Sequence, residues 1–288
     1  MINLCRVLIT IALISNFSFA SEIDLVRYVA SEKNPDRKES YFIDLLTLAL
    51  EQSKTQYGDY QLQAVDIDMA QGRSSIMLQQ NEYIDLTWRM TSKALEQQLQ
   101  AIYFPITKGL MGSRVFIIRN NSQYLFKKNM SLRELKMLSL GQGHTWPDTE
   151  ILLKNGFKVI GGHADALIAM LNKKRFDYYP RALHEPWVEI ADESELVVEK
   201  HLMLRYPAPM FFFVNKNNKR LQQRLNLGLK SLLDSGEFEQ FFIHHKITSG
   251  ILTKAKVHKR TIFDLPNPLL SEKSKALLAD KRLWIEFN

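Results

Sequence analysis

The sequence predicts an α/β protein made of two successive lobes, and three observations support this. Short apolar segments with strand character alternate with amphipathic helical segments. The alternation runs through twice, over about 90 residues each time, which is enough for a compact lobe. Strands that alternate with helices are typical of a mainly parallel sheet covered on both faces.

The first unit is expected to contain three strands and two helices. A strand over residues 23–30 is followed by a leucine-rich amphipathic helix over 41–53 and a second strand over 60–65. A helix over 74–80 then leads to a third strand over 83–88.

The second unit repeats the alternation. Its expected elements are strands over 113–119, 136–141, 158–160 and 176–179, and helices near Leu132, between Thr145 and Gly156, and over 165–172. Beyond it we expect a strand at 210–214, helices over 219–235 and 238–245, and a proline-broken surface segment at 264–270.

The end of the chain does not resemble a third unit. We therefore expect one lobe from residues 21–111 together with a returning segment, 215–288, and a second lobe from 112–214. Two crossover-like stretches, 105-PITKGLMGS-113 and 205-RYPAP-209, separate the units.

Residues 1–20 have the pattern of a cleavable secretory signal peptide. One arginine precedes the apolar run 7–14, and the segment ends in the small-residue pattern S-F-A. A membrane anchor is the alternative, but the apolar run is shorter than a membrane-spanning helix requires. The only cysteine, Cys5, lies here, so a mature chain starting at Ser21 has no disulfide, which suits the periplasm.

Charge and hydropathy exclude other classes. The formal net charge is +7 at pH 7, or +6 without Arg6, and the excess is spread along the chain. Basic clusters at 173–175 and 254–260 accompany no zinc-finger or RNA-binding motif, so no nucleic-acid partner is expected. The apolar run 210–214 is too short to cross a membrane and indicates a buried strand.

The stretch 141-GQGHTWPDTEILLKNG-156 joins a glycine-containing turn to a helix. Thr145 is expected to cap the helix, with Pro147 and Asp148 in its first turn and Gly156 at its end. Asp148 would complete a T-x-x-D capping box with Thr145. Exposed N–H groups at such an N-terminus suit an anionic or strongly polar group. The Walker pattern and the third glycine of the dinucleotide fingerprint are missing. An ordinary strand-to-helix turn is the alternative.

Five stretches share their order and spacing with a known family: 85-DLTWRMTSK-93, 103-YFPIT-107, 138-LSLGQGHTW-146, 175-RFDYYPR-181 and 228-GLKSLLDSGEFEQFF-242. Together they resemble the type 2 periplasmic solute-binding proteins, in particular family 3, which includes polar amino-acid binders of ABC transporters. The resemblance covers nearly all of residues 21–245. It implies an α/β fold of two hinge-linked lobes with mixed sheets, which enclose a ligand between them.

The same resemblance implies where the ligand lies. The strand end that contains Trp88, Arg89 and Thr91 corresponds to the ligand-facing end of a first-lobe strand. The turn of Gly143, His144, Thr145 and Trp146 corresponds to the second-lobe turn that presents N–H groups to a solute.

The chain departs from the amino-acid binders at both ends of their ligand clamp. The arginine that pairs with the ligand α-carboxylate is replaced by Ala94, and the aspartate for the α-amino group is missing near Ala182. Arg89 or Arg181 could substitute for the arginine, and Glu185 could receive a cation.

Each candidate also has a purely structural interpretation. Arg181 could instead form a salt bridge to Glu185 or Glu189, and Trp88 and Trp146 could fill the core instead of sandwiching an apolar or ring-bearing solute. Tyr28 and Glu32, after the first strand, match a rim position by topology only.

An enzyme on the same fold, a hydrolase or lyase acting on a small metabolite, is the rival hypothesis. The sequence has no HExxH motif, no G-x-S-x-G elbow and no cysteine after residue 20, which leaves Asp177 and Glu185 as a conceivable acid/base pair. We therefore expect a non-enzymatic, monomeric periplasmic protein without cofactor or metal. It is expected to bind a small polar solute, amino acid-like or otherwise charged, for an ABC permease or a sensor receptor.

Overall fold

The computed structural model describes residues 23–30, 39–66 and 71–287. The expected signal peptide, the start of the mature chain at Ser21 and the candidate Glu32 lie outside these residues. Within this part of the chain, no helix is long and apolar enough to span a membrane.

Strands and helices alternate along most of the chain. The strands are β1 (Asp24–Ala30), β2 (Tyr60–Asp66), β3 (Leu86–Met90), β4 (Gln100–Ala101), β5 (Ser113–Arg119), β6 (Ser139–Gly143), β7 (Lys158–Gly162), β8 (Tyr179–Ala182), β9 (Leu196–Val198), β10 (Leu202–Arg205), β11 (Met210–Val214) and β12 (Thr261–Asp264). The helices are α1 (Glu39–Gln52), α2 (Lys54–Tyr57), α3 (Gln71–Gln80), α4 (Lys93–Gln98), α5 (Leu132–Leu135), α6 (Pro147–Lys154), α7 (Leu167–Asn172), α8 (Pro186–Glu189), α9 (Lys219–Ser235), α10 (Glu237–His244), α11 (Ile251–Ala255) and α12 (Glu272–Ala276). Short 3₁₀ turns lie at Leu110–Gly112, Asn120–Leu125, Ala164–Ala166, Val257–Lys259, Leu277–Ala279 and Lys281–Leu283.

The first lobe contains a mixed sheet in the order β2-β1-β3-β11-β4. The first three strands are parallel, and β11 runs antiparallel to both β3 and β4. Phe212 of β11 packs into one buried cluster, while Phe211 and Phe213 pack into another on the opposite face. Because successive strand residues point to opposite faces, the apolar β11 is a strand covered on both sides.

The second lobe contains a sheet in the order β12-β10-β5-β8, with β9 also paired to β5. A parallel pair, β6 and β7, joins this lobe through a bridge between Leu140 and Tyr178, just before β8. The α/β architecture and the mixed sheets are those that the family resemblance implies. The mainly parallel sheet expected from strand–helix alternation is wrong for this lobe, where β5 runs antiparallel to β8, β9 and β10.

Two short segments, 102–112 and 206–209, connect successive strands of the first-lobe and second-lobe sheets. The backbone N–H of Tyr206 donates to the carbonyl of Gly112 at 3.0 Å, so the two connections run side by side. A Cβ on Gly112 would lie only 1.8 Å from the Tyr206 carbonyl oxygen, so this close approach requires glycine.

The expected lobe boundaries need correction in two places. Strand β11, which we placed at the end of the second lobe (112–214), belongs to the first sheet. Strand β12, which we placed in the segment returning to the first lobe (215–288), pairs in parallel with β10 of the second sheet. Local pattern marks a strand, but pairing between distant segments decides the sheet to which it belongs.

Several local expectations were also wrong. The N-cap of α6 is Trp146, without a side-chain cap hydrogen bond, and Thr145 lies one residue before it. Asp148 points inward to Arg114 and Tyr206 instead of completing a capping box. The segment at 264–270 is not simply superficial, because Leu265 and Leu270 are both only 5% exposed.

Candidate functional site

A cleft between the lobes contains a cavity of about 730 Å³. Helix α3, the end of β3 and helix α4 form its first-lobe wall, and the turn before α6 together with α6 forms its second-lobe wall. Its lining residues are Ser75, Ile76, Gln79, Arg89, Met90, Ser92, Ala94, Leu95, Gln98, His144, Thr145, Trp146, Pro147, Thr149, Glu150, Leu153 and Leu269.

Arg89 supplies the positive charge of the first-lobe wall. It is the only lysine or arginine among the described residues that line the cavity. Its Nη1 donates to the Oγ of Ser75 on α3, so the guanidinium is already oriented from the neighbouring helix. Burial lowers the pKa of Arg89, but an arginine remains protonated at neutral pH.

The second-lobe wall is the turn that links β6 to α6. The carbonyl of Gly143 accepts hydrogen bonds from the Trp146 N–H at 2.9 Å and from the Thr149 Oγ1 at 2.7 Å, which closes the turn. A Cβ on Gly143 would come within 2.4 Å of the Trp146 ring, so glycine lets the indole fold back on the backbone. His144 and Thr145 are exposed at the tip of the turn.

Trp146 connects the cavity with a buried ionic cluster. The guanidinium of Arg181 lies 5.0 Å from the Trp146 ring and 5.0 Å from the Tyr179 ring. The same group pairs with Glu185 at 3.0 Å and with Glu189. One face of the Trp146 indole therefore packs against a fixed cation, which limits the orientations available to its ring.

Arg181 and Glu185 themselves lie inside the second lobe and are not part of the cavity lining. Arg181 is within β8, not after it, and is 7% exposed. Burial alone would lower the pKa of Arg181, but the Glu185 and Glu189 carboxylates outweigh that effect and raise it. Glu185 also accepts from the Ala182 N–H at 2.8 Å. The salt-bridge alternative for Arg181 is the arrangement that the structure shows.

Trp88 and Thr91 lie on the first lobe but outside the cavity lining. The Trp88 ring stacks on Phe42, with centroids 5.2 Å apart, and approaches Tyr28 at 6.1 Å. Thr91 is fully buried, and its Oγ1 donates to Glu96 at 2.7 Å. Both side chains therefore support the strand that presents Arg89.

The two positions that lack the amino-acid clamp differ in their surroundings. Ala94 lines the cavity, so a side chain at this position would face the cavity. Ala182 is fully buried in β8. Neither position supplies the charged group of the amino-acid clamp, and Ala182 is not among the residues that line the cavity.

The candidate acid/base residues do not meet in the cleft. Asp177 accepts from both the N–H and the Oγ of Ser139, at 2.7 and 2.8 Å. Glu185 is occupied by Arg181 and the Ala182 N–H. Among the described residues, no group of three or more His, Cys, Asp or Glu side chains is arranged to hold a metal ion.

Several lining residues were not identified from the sequence. Ser75 and Gln79 lie four residues apart on α3, so helical periodicity could have indicated that they share a face. Gln98 ends α4 and carries no comparable signal. Leu269 comes from the C-terminal segment, and nothing in its local sequence indicates a contact with the cleft.

No protein-family model and no curated protein sequence matches the chain. Several solved structures are similar to it. An arginine-specific periplasmic binding protein of Salmonella typhimurium is 13% identical with a TM-score of 0.54, and the match covers 76% of this chain and 97% of that one. A probable amino-acid ABC transporter extracellular-binding protein of Bacillus subtilis is 15% identical with a TM-score of 0.56, over 77% and 97% of the two chains.

A third similar structure is a histidine kinase sensor domain described as similar to periplasmic binding proteins. It is 15% identical, with a TM-score of 0.52, over 76% of this chain and 94% of that chain. Likeness at these identities establishes the fold. The chain has the two-lobed α/β fold of the periplasmic solute-binding proteins, and the neighbours with that fold are binding proteins and a sensor domain.

Proposed function

We propose that this chain, which has the fold of periplasmic solute-binding proteins, binds a small polar solute between its two lobes for uptake or sensing. The proposal rests on one observation, that residues of both lobes line the same cavity. Arg89 of the first lobe and the turn residues His144, Thr145 and Trp146 of the second lobe line it together. A solute that touched both walls would stabilise the closed arrangement of the lobes.

The cavity lining favours a solute with an anionic group and an apolar or ring-bearing part. Arg89 can pair with a carboxylate or phosphate through two parallel N–H bonds. Trp146, Ile76 and Leu153 offer apolar surface, and Gln79 and Gln98 offer amide groups that can fix orientation. Ala94 in place of the clamp arginine argues for a solute held differently from a free α-amino acid.

The location and partner follow from the same proposal. A signal peptide over residues 1–20 would deliver the chain to the periplasm. There an ABC permease or a sensor receptor would distinguish solute-bound from solute-free lobes, as the two kinds of neighbour suggest. The solute would be returned unchanged.

A thermal-shift screen over amino acids, polyamines, organic acids and small peptides tests the proposal. A solute at 100 times its dissociation constant adds about 2.7 kcal/mol to folding stability. Mass spectrometry of the recovered solute separates binding from catalysis, because an enzyme on this fold would convert it.

The Arg89→Ala variant tests the placement of the site. Loss of a charge-assisted contact of about 1.5–3 kcal/mol lowers affinity by roughly 10- to 150-fold. The matched control is Arg133→Ala, because Arg133 is exposed on α5 and lies outside the cavity lining. Equal solute stabilisation of Arg89→Ala and parent would contradict the proposed role of Arg89.

A further inference from the structure

The C-terminal segment passes from one lobe to the other along an edge of the cleft. Strand β12 pairs with β10 in the second lobe, and helix α12, which begins eight residues after β12 ends, lies against the first lobe. Between them, Leu269 lines the cavity beside Ser92 and Leu95 of the first lobe. The segment therefore forms a third wall of the cleft.

Its attachment to the second lobe uses backbone and side-chain groups. Leu265 donates its N–H to the carbonyl of Arg205 at 2.8 Å, and its side chain is buried in the second-lobe core. Next to it, the carbonyl of Pro266 accepts from the Nδ2 of Asn155, the C-cap residue of α6. The helix that carries the Trp146 turn is thus bound to this segment.

Its attachment to the first lobe centres on Glu96 of α4. The Oγ atoms of Ser271 and Ser274 donate to the two carboxylate oxygens of Glu96, at 2.5 and 2.7 Å. Just before them, the carbonyl of Leu269 accepts from the N–H of Lys93 at 2.7 Å. Hydrogen bonds to a charged carboxylate are stronger than neutral ones, so Glu96 contributes more per hydrogen bond than a neutral acceptor would.

The short length of chain between the two attachments restricts lobe movement. Pro266 bonds to the second lobe and Leu269 to the first, three residues later. Three residues span at most about 10 Å when fully extended. In the middle of this span, the Nδ2 of Asn267 donates to the Pro207 carbonyl at 2.7 Å, within a connection between the lobes. Helices α4 and α6 cannot separate widely here while these bonds are intact.

We propose that residues 264–274 form a clasp that holds the two lobes together at this edge and supplies a fixed wall of the solute site, so that solute enters and leaves by another edge. The role as a solute wall rests on the proposed function, whereas the restraint on the lobes stands without it. Breaking the clasp lets α4 and α6 move apart.

Pulsed electron paramagnetic resonance between spin labels at Gln97→Cys and Lys154→Cys measures this separation, in a Cys5→Ser background and without any solute. Both label positions are exposed, one on α4 and the other on α6. The parent is expected to show one narrow distance distribution. The double variant Ser271→Ala/Ser274→Ala is expected to add a population at longer distance. Asn155→Ala, which loosens the second-lobe attachment, is expected to do the same.

Lys275→Ala is the matched control, because it removes an exposed ion pair with Glu272 inside α12 and no contact between lobes. It should retain the distribution of the parent. Thermal unfolding confirms that each variant is folded. If the double variant does not fold, the distance distribution of Asn155→Ala tests the clasp alone. A long-distance population in the parent, or unchanged distances in the folded clasp variants, overturns the clasp. Since no solute is present, a failed solute screen does not affect this result.

Discussion

Arg181 has two carboxylate partners and two aromatic neighbours inside the second lobe. Glu185 and Glu189 pair with its guanidinium, while the rings of Trp146 and Tyr179 lie 5.0 Å from it. These contacts give the residue a structural role that a solute contact would not require. Its effect on the cleft is indirect, through the orientation of the Trp146 ring.

Arg181→Ala is therefore expected to lower the free energy of unfolding of the solute-free protein. Removing one partner of a buried ion pair costs about 3–5 kcal/mol, because Glu185 and Glu189 lose the guanidinium that they share. Urea unfolding followed by circular dichroism measures the change.

The control for this prediction is Arg220→Ala. Arg220 is half-exposed and pairs with Asp24, which keeps its second partner, Arg224. The expected loss is below about 1 kcal/mol. An Arg181→Ala variant as stable as the parent would show that the cluster contributes nothing measurable.

Helices α1 and α9 pack so closely that the backbone of α1 occupies the space where a side chain on α9 would lie. A Cβ built on Gly228 of α9 would lie 1.8 Å from the carbonyl oxygen of Ala49 on α1. Leu45 and Leu46 on α1 and Leu225 on α9 are fully buried around this point. The packing of α9 on the first lobe thus requires a residue without a side chain at position 228.

Gly228→Ala is expected to destabilise the protein although alanine is the better helix former. The gain in helix propensity is about 1 kcal/mol, whereas forcing apart two packed backbones costs about 1–3 kcal/mol or more. Thermal unfolding measures the balance. Asn226→Ala, on the exposed face of the same helix, is the control and should be neutral or slightly stabilising. A rise in stability with Gly228→Ala would contradict the tight contact.

At the scale of the whole molecule, the clasp makes the coupling of the lobes sensitive to pH through Glu96. Burial raises the pKa of Glu96, but hydrogen bonds from Ser271, Ser274, Thr91 and Tyr103 outweigh it and lower the pKa below 4.5. Burial and the Glu96 carboxylate raise the pKa of Tyr103 to about 12, so its hydroxyl remains a donor at neutral and acid pH. Lys273 is a charged residue nearby, and its Nζ lies 5.6 Å from the Tyr103 ring centroid.

A carboxyl with a lowered folded-state pKa contributes stability that is complete above its ordinary pKa and is lost as pH falls through the folded-state value. Stability of the parent should therefore fall more steeply below about pH 4.5 than that of Glu96→Gln. At neutral pH the variant should be less stable by about 1–3 kcal/mol. Urea unfolding across this pH range gives both slopes, and identical slopes would exclude Glu96 as the titrating group.

The sequence by itself determined the longer elements and their order, whereas short strands such as β9, β10 and β12 were not expected from it. The helix expected over 219–235 is confirmed as α9, and the strand over 113–119 as β5. Hydrophobic periodicity and helix-capping residues act within one segment, so they can be recognised from the local sequence. The same information located the β6–α6 turn, whose His144, Thr145 and Trp146 line the cavity.

Only the tertiary structure decided which segments meet. The local pattern of residues 210–214 and 261–264 is compatible with either lobe, and strand pairing assigns the first to the β3 sheet and the second to the β10 sheet. Arg181 and Arg89 were both candidates in the sequence, yet Arg89 lines the cleft and Arg181 is enclosed by carboxylates. Leu269 reaches the cavity because the chain crosses between the lobes there. Contacts between residues far apart in sequence depend on packing of the whole chain, which no local pattern encodes.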